Sequence, residues 1–164
     1  MNKTQRLSAL ALTVAAAMLL SFIESRLPSF TAIPGIKVGL ANIAVTFALY
    51  KLGTREAAVV SAVRVILVSL LFGSLVSMLY GLAGAILSLA LMCLLRHISP
   101  LSPIGVSVAG GVAHNLGQIA IACLLLRTAA IFCYLPVLIL TGTVAGIVTG
   151  IASGLLIKRL NVKK

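Results

Sequence analysis

The chain has no aspartate, no tryptophan and just two glutamates, Glu24 and Glu56, among 164 residues. Carboxylates this scarce exclude a Mg²⁺-bridged diphosphate site, because that cation takes several oxygen ligands. No GxxxxGK[ST] run is present, so the chain does not hydrolyse ATP through a phosphate loop. His97 and His114 fall on different apolar segments at different depths, with no thiolate or carboxylate to complete a metal shell. Cys93, Cys123 and Cys133 form no CxxC pair and sit in apolar surroundings, where cysteine acts as a small packing residue. The chain alone is therefore expected to be no enzyme, to hold no metal and to carry no intrinsic cofactor.

What the chain does have is apolar surface. Hydrophobic residues make up 61% and charged residues 9%, against about 25% charged in a soluble domain. Mean hydropathy is +1.22. A net charge of +11 would point to nucleic acid in a soluble protein. Here the basic residues lie mostly at segment ends, where they face anionic lipid, so no nucleic-acid partner is expected. The expected fold is an all-α integral membrane protein, a single membrane domain over residues 1–164. Six spans are drawn at about 7–24, 38–52, 56–73, 75–95, 104–126 and 129–157, the second being short. Lys3 and Arg6 before an apolar run imitate a signal peptide, but hydrophobicity continues through Phe22 and Ile23, so an uncleaved first helix is expected.

An even number of spans puts both termini on one side. On that side lie Lys3, Arg6, Lys51, Arg55, Arg96, Lys158, Arg159, Lys163 and Lys164, while Arg26, Lys37 and Arg127 lie opposite. The positive-inside rule then places both termini in the cytoplasm. The Ser25–Lys37 connection contains Pro28, Pro34 and Gly35, and reads either as a lid over an outward-opening site or as a simple connector.

The last segment, Ala129 to Ile157, holds no charge and carries Gly142, Gly146, Gly150 and Gly154 at every fourth position. Glycine is a poor helix former in water, but in a bilayer it lets two backbones approach closely. The ridge fits either another helix of this chain or a partner.

Against this background the polar residues stand out. Arg64 lies about eight residues into the third span and His114 about ten into the fifth, roughly 12 and 15 Å deep at 1.5 Å per residue. A central charge costs at least ~2.5–3.5 kcal/mol, so Arg64 is expected to face the bundle interior. It reads as a structural bridge, with Glu24 as one candidate partner, or as the group that meets an anionic or carbonyl-bearing ligand. His114 and Gln118 are four apart and share a face, with Asn115 beside them and Asn42 near the external end of the second span. Together these groups supply donors and acceptors suited to a small polar ligand. Gly110, Gly111 and Gly117 thin the fifth helix beside them.

The block Pro34-Gly35-Ile36-Lys37-Val38-Gly39-Leu40-Ala41-Asn42, followed by Arg64 and by His114-Asn115-x-x-Gln118, resembles the Gx transporter family. Tyr134-x-Pro136 and the terminal glycines look similar too, so the resemblance spans nearly the whole chain. That family is also catalogued as heptaprenyl diphosphate synthase component I and is grouped with the S components of energy-coupling factor (ECF) transporters. The resemblance implies a six-helix subunit of a bacterial cell membrane that captures a small molecule from outside. A separate ECF-type transmembrane subunit and two ATPases would supply the energy. It implies a site of Asn42, Arg64, His114, Asn115 and Gln118, with Lys37 on the lid, and docking through small first-helix residues such as Ala11 and Ala15. Packing of Ala11 and Ala15 within this chain is the other reading. Some members accompany genes for flavin-linked extracellular electron transfer and quinone synthesis. The rival expectations are a non-catalytic accessory of heptaprenyl diphosphate synthesis, partnered by a membrane-associated synthase, and a scaffold in an electron-transfer assembly. The synthase description fits poorly with a chain lacking aspartate, because known prenyl-diphosphate synthases use aspartate-rich metal motifs.

Overall fold

In a computed structural model, described for residues 2–26, 39–98, 101–128 and 130–160, those residues are helical apart from short turns, and no strand occurs among them. The helices are α1 (Lys3–Arg26), α2 (Asn42–Lys51), α3 (Thr54–Phe72), α4 (Leu75–Ile98), α5 (Pro103–Leu126) and α6 (Leu135–Arg159). A 3-10 turn, Ala130–Tyr134, leads into α6. Local chemistry sets several of these boundaries. Ser102 accepts from the Gly105 amide and Pro103 follows it, a strong helix start. Ser74 and Ser77 cap the start of α4 reciprocally, each hydroxyl accepting from the other's amide. Between α2 and α3, Gly53 takes φ +134, a left-handed conformation that suits glycine, and its amide donates to the Ala48 carbonyl.

By length and composition four segments among the described residues can cross a membrane: α1, α4, α5 and Ala130–Arg159. The six spans expected from sequence are not all met on those terms. At ten residues α2 is about 15 Å long, half of a ~30 Å hydrocarbon core, and it begins at Asn42 rather than at 38. The 19-residue α3 is long enough but carries Arg55, Glu56 and Arg64. The surface is nonetheless that of a membrane protein. Leu12 is 72% exposed, Leu124 71% and Ile86 68%, whereas Thr46 and Ser153 are fully buried. Apolar side chains outside and hydroxyls inside suit lipid as the surrounding solvent.

Helix directions alternate. Arg6 of α1 pairs with Glu56 at the start of α3. Arg96 near the end of α4 donates to the Leu49 carbonyl at the end of α2, satisfying a helix end that lacks intrahelical donors, and stacks 5.0 Å from the Tyr50 ring. The Tyr50 hydroxyl donates in turn to the Leu101 carbonyl at 3.0 Å, which ties in the start of α5. One end of the bundle thus gathers Arg6, Lys51, Arg55, Arg96, Lys158 and Arg159.

Neighbouring helices form the ring α1–α3–α4–α5–α6–α2, closed by α2 against α1. The short α2 also touches α3 and α5, and buries Ala44, Val45, Thr46, Ala48 and Leu49. Around it lies the apolar core, with Ala17, Ala57, Val60, Met92 and Val106. Thr46 and Ser107 share a hydrogen bond of 3.1 Å there, linking α2 to α5.

The glycine ridge packs on α5 of the same chain. A Cβ on Gly142 would lie 3.0 Å from the Gly111 carbonyl oxygen, one on Gly150 2.6 Å from Ile104 Cα, and one on Gly146 would collide with Val108. Gly154 is looser, its nearest neighbour being Pro103 Cβ at 4.0 Å. Ala11 and Ala15, by contrast, are exposed on the outer face of α1, which buries Thr13, Ala17 and Ser21 instead.

The four ridge positions therefore differ. Gly146→Leu is expected to break the α5–α6 contact and to cost more than the ~1–3 kcal/mol of ordinary overpacking, since backbone blocks the side chain. Gly154→Leu is expected to be tolerated. Thermal unfolding and monodispersity of the two detergent-solubilised variants check this, and equal behaviour would contradict the packing described.

Candidate functional site

Five polar residues singled out in the sequence meet in one place. Asn42, Arg64, His114, Asn115 and Gln118, together with Glu24 and Gly39, line a cavity of about 50 Å³. It lies toward the bundle end opposite the basic one, between the end of α1, the start of α2 and the middles of α3 and α5. Lys37, and all but the first two residues of the Ser25–Lys37 connection, lie outside the described residues.

Each side chain reaches the cavity for a local reason. Gly39 takes φ +72, and its amide donates to the Glu24 carboxylate from the turn that starts α2. That bond fixes the α2 start beside the end of α1 and brings Asn42 to the cavity wall. His114 is held by a neighbour with no side chain: a Cβ on Gly84 of α4 would lie 2.8 Å from the imidazole ring. Gln118 Nε2 lies 3.3 Å from His114 Nε2, and with the amide donating, the imidazole carries its proton on Nδ1. Asn115 Nδ2 donates to the Leu138 carbonyl of α6 at 2.7 Å, so this amide fastens two helices as well as lining the cavity. Gly117 lets α5 lie against α4, where a Cβ would come 2.6 Å from the Ala83 carbonyl oxygen.

Arg64 is the charged centre. It is 9% exposed, and its Nε has no hydrogen-bond partner. Electrostatic attraction links it to Glu24, which lines the same cavity. The wall thus presents a guanidinium, a carboxylate, an imidazole and three amides in a small volume. Such a set can orient a compact hydrogen-bonding ligand.

Two further cavities adjoin this one. A volume of about 20 Å³ shares Gly39, Asn42, His114 and Asn115 and extends along α6 to Thr149. A crevice of about 120 Å³ shares Glu24, Arg64, His114 and Gln118 and runs between α1, α3 and α4. Ser21, Ser25, Ser69 and Ser77 line it, and sequence reasoning passed over all four. Their signal was faint but present: Ser21 precedes Glu24 by three residues and Ser25 by four, so it neighbours both on the α1 surface. Gly39 was also missed as a wall residue, although it sits inside the block that carries the family resemblance.

Long apolar helices around a polar internal cavity define a helical membrane protein. A family model described as heptaprenyl diphosphate synthase component I matches residues 13–156, so the chain belongs to that family. No curated protein and no solved structure matches the chain.

The attraction between Glu24 and Arg64 is open to direct measurement. Glu24→Gln and Arg64→Met are each expected to lower thermal stability, and the double variant to lose less than their sum. A coupling of about 0.5–3 kcal/mol is the range for groups in contact or sharing a network. Strict additivity in a double-mutant cycle would show that the two charges do not interact.

Proposed function

We propose that the chain is a multi-pass membrane subunit, six times across the bilayer with both termini cytoplasmic, that captures a small molecule from the outer face. It resembles in this the S components of ECF transporters, with a separate transmembrane subunit and ATPases supplying the energy. The observation that carries this reading is the convergence of Asn42, Arg64, His114, Asn115 and Gln118 on one internal cavity away from the basic end. Arg64 meets an acceptor on the ligand, while the amides and imidazole select its shape. The exposed small residues Ala11 and Ala15 leave a smooth face on α1 for the transmembrane partner.

The chain takes no catalytic part in this reading. Its two carboxylates are held at opposite ends of the bundle, Glu56 by Arg6 and Glu24 beside Arg64, so they cannot share a cation on a diphosphate. One finding favours a second reading. The family description names one component of a heptaprenyl diphosphate synthase, and a component implies a partner. In that case the chain is a non-catalytic membrane accessory to a separate synthase subunit.

Ligand capture is tested by mass spectrometry of small molecules retained by the purified protein. Arg64→Ala is expected to lose the retained molecule while staying folded. His114→Ala and Gln118→Ala are expected to weaken retention less, since each removes neutral hydrogen bonds of about 0.5–1.5 kcal/mol. A stable Arg64→Ala protein that retains the molecule fully would sink the capture reading.

For topology, a reporter fused after Lys164 is expected in the cytoplasm, and a cysteine at position 29 is expected to label from outside. An external C-terminus would overturn the six-span arrangement.

A further inference from the structure

We propose that the pocket takes only the head of its ligand, an uncharged hydrogen-bond acceptor such as a carbonyl, and that the ligand's apolar body leaves past the α3–α4 turn, toward the lipid at the end of the bundle opposite the basic one. This inference rests on the capture reading above and narrows it to one class of molecule, an amphiphile.

Size is the first argument. The cavity at Arg64 measures about 50 Å³ and the adjoining crevice about 120 Å³, together still below the ~300–1,000 Å³ of pockets that enclose a drug-sized ligand. A carbonyl group fits at Arg64, and a larger molecule must extend outward past it.

The second argument is continuity. The crevice beyond Arg64 holds about 120 Å³ and reaches Ser69 and Gly73 at the α3–α4 turn. Those two residues also line an outer groove of about 240 Å³, with Leu70, Ser74, Leu75 and Met78. Volume grows outward along this path, and the charged groups of the cavity give way first to serine hydroxyls and then to a mixture of serine and apolar side chains. The groove ends on the surface, where Leu70 is 63% exposed and Leu75 70%. A molecule with a small polar head and an apolar body matches that gradient along its whole length.

Charge selects the head. Arg64 is nine-tenths buried and its Nε lacks an acceptor, so the site calls for one. Its positive charge is already attracted to Glu24. Adding a full negative charge would bring it beside that carboxylate in a poorly solvated space, which is costly. A neutral oxygen satisfies the guanidinium without that repulsion.

The test is photo-cross-linking of the full chain in nanodiscs with three probes sharing one twelve-carbon, diazirine-bearing chain. One carries a methyl ketone head, one a phosphate head, and one no head. The ketone probe is expected to label the Leu70–Met78 segment about tenfold more than the headless chain, the scale of one hydrogen bond to a charged group. That excess is expected to vanish in Arg64→Ala and in Ser69→Leu, which blocks the wall shared by crevice and groove without touching Arg64. Equal labelling by ketone and headless probes would mean that ordinary lipid fills the groove, and the proposal fails. Preferential labelling by the phosphate probe would overturn the uncharged head. Retention of a hydrophilic molecule, lost in Arg64→Ala, with no head-dependent labelling would overturn the amphiphile and leave the capture reading standing. Absence of both retention and labelling would remove both.

Discussion

Backbone-to-backbone contact between α4, α5 and α6 is the constraint on which the pocket depends. Gly142 and Gly146 meet α5 at Gly111 and Val108, while Gly117 meets α4 at Ala83 and Gly84. Lipid gives helices no hydrophobic reason to associate, so close van der Waals approach and interhelical hydrogen bonds must hold them. Close approach has a second effect. It removes side chains from the interface and leaves α5 rotationally fixed, so that His114 lies against Gly84 and Asn115 reaches the Leu138 carbonyl. A larger residue at 84 or 142 would displace the imidazole or the amide before it disturbed anything else. The glycines and the polar residues form one device, since the first set aims the second.

The short α2 completes that device from the other side. Its ten residues are about half a hydrocarbon core long, and it touches α1, α3, α5 and α6. At one end Arg96 holds its last carbonyls. At the other, Gly39 and Glu24 fix its start against α1. The apolar core sits around its half nearer the basic end of the bundle and the polar cavity around its Asn42 end. A helix of this length converts the bundle into two layers, an apolar plug below and a polar chamber above.

Much of this was legible in the sequence, for physical reasons that can be named. The depth of Arg64 and His114 follows from helical rise alone, and the four-residue spacing of His114 and Gln118 fixes their common face. The glycine period announced a close contact, and the intramolecular partner emerged only from tertiary packing. Glu24 was visible as a possible partner of Arg64, yet its bond to the Gly39 amide was not, because it depends on a left-handed turn some fifteen residues away. The extent of α2 was misjudged for a related reason. The stretch from Val38 to Leu52 is apolar apart from Asn42, Thr46 and Lys51, and nothing in its hydropathy marks where a turn ends and a helix begins. The serines of the crevice escaped notice because a hydroxyl in an apolar helix usually bonds its own backbone, as Thr13, Thr143 and Thr149 do here.

The family description and the chemistry of the chain are reconciled by where its charges sit. A synthase component acting on diphosphates suggests acids arrayed around a cation, yet both glutamates are already engaged with arginines or their neighbourhood at distant ends of α1. From position 6, where Arg6 holds Glu56, to Glu24 is eighteen residues, about 27 Å of helix. No rotamer change closes that separation, and opening the bundle enough to do so would expose its buried hydroxyls to lipid. The cost of stranding polar groups in hydrocarbon, several kcal/mol each, stands against it. Glu24, Arg64, His114 and three amides line one small cavity away from the basic end instead. Chemistry on a diphosphate through a shared cation would therefore need acids that these two glutamates, so held, do not bring together.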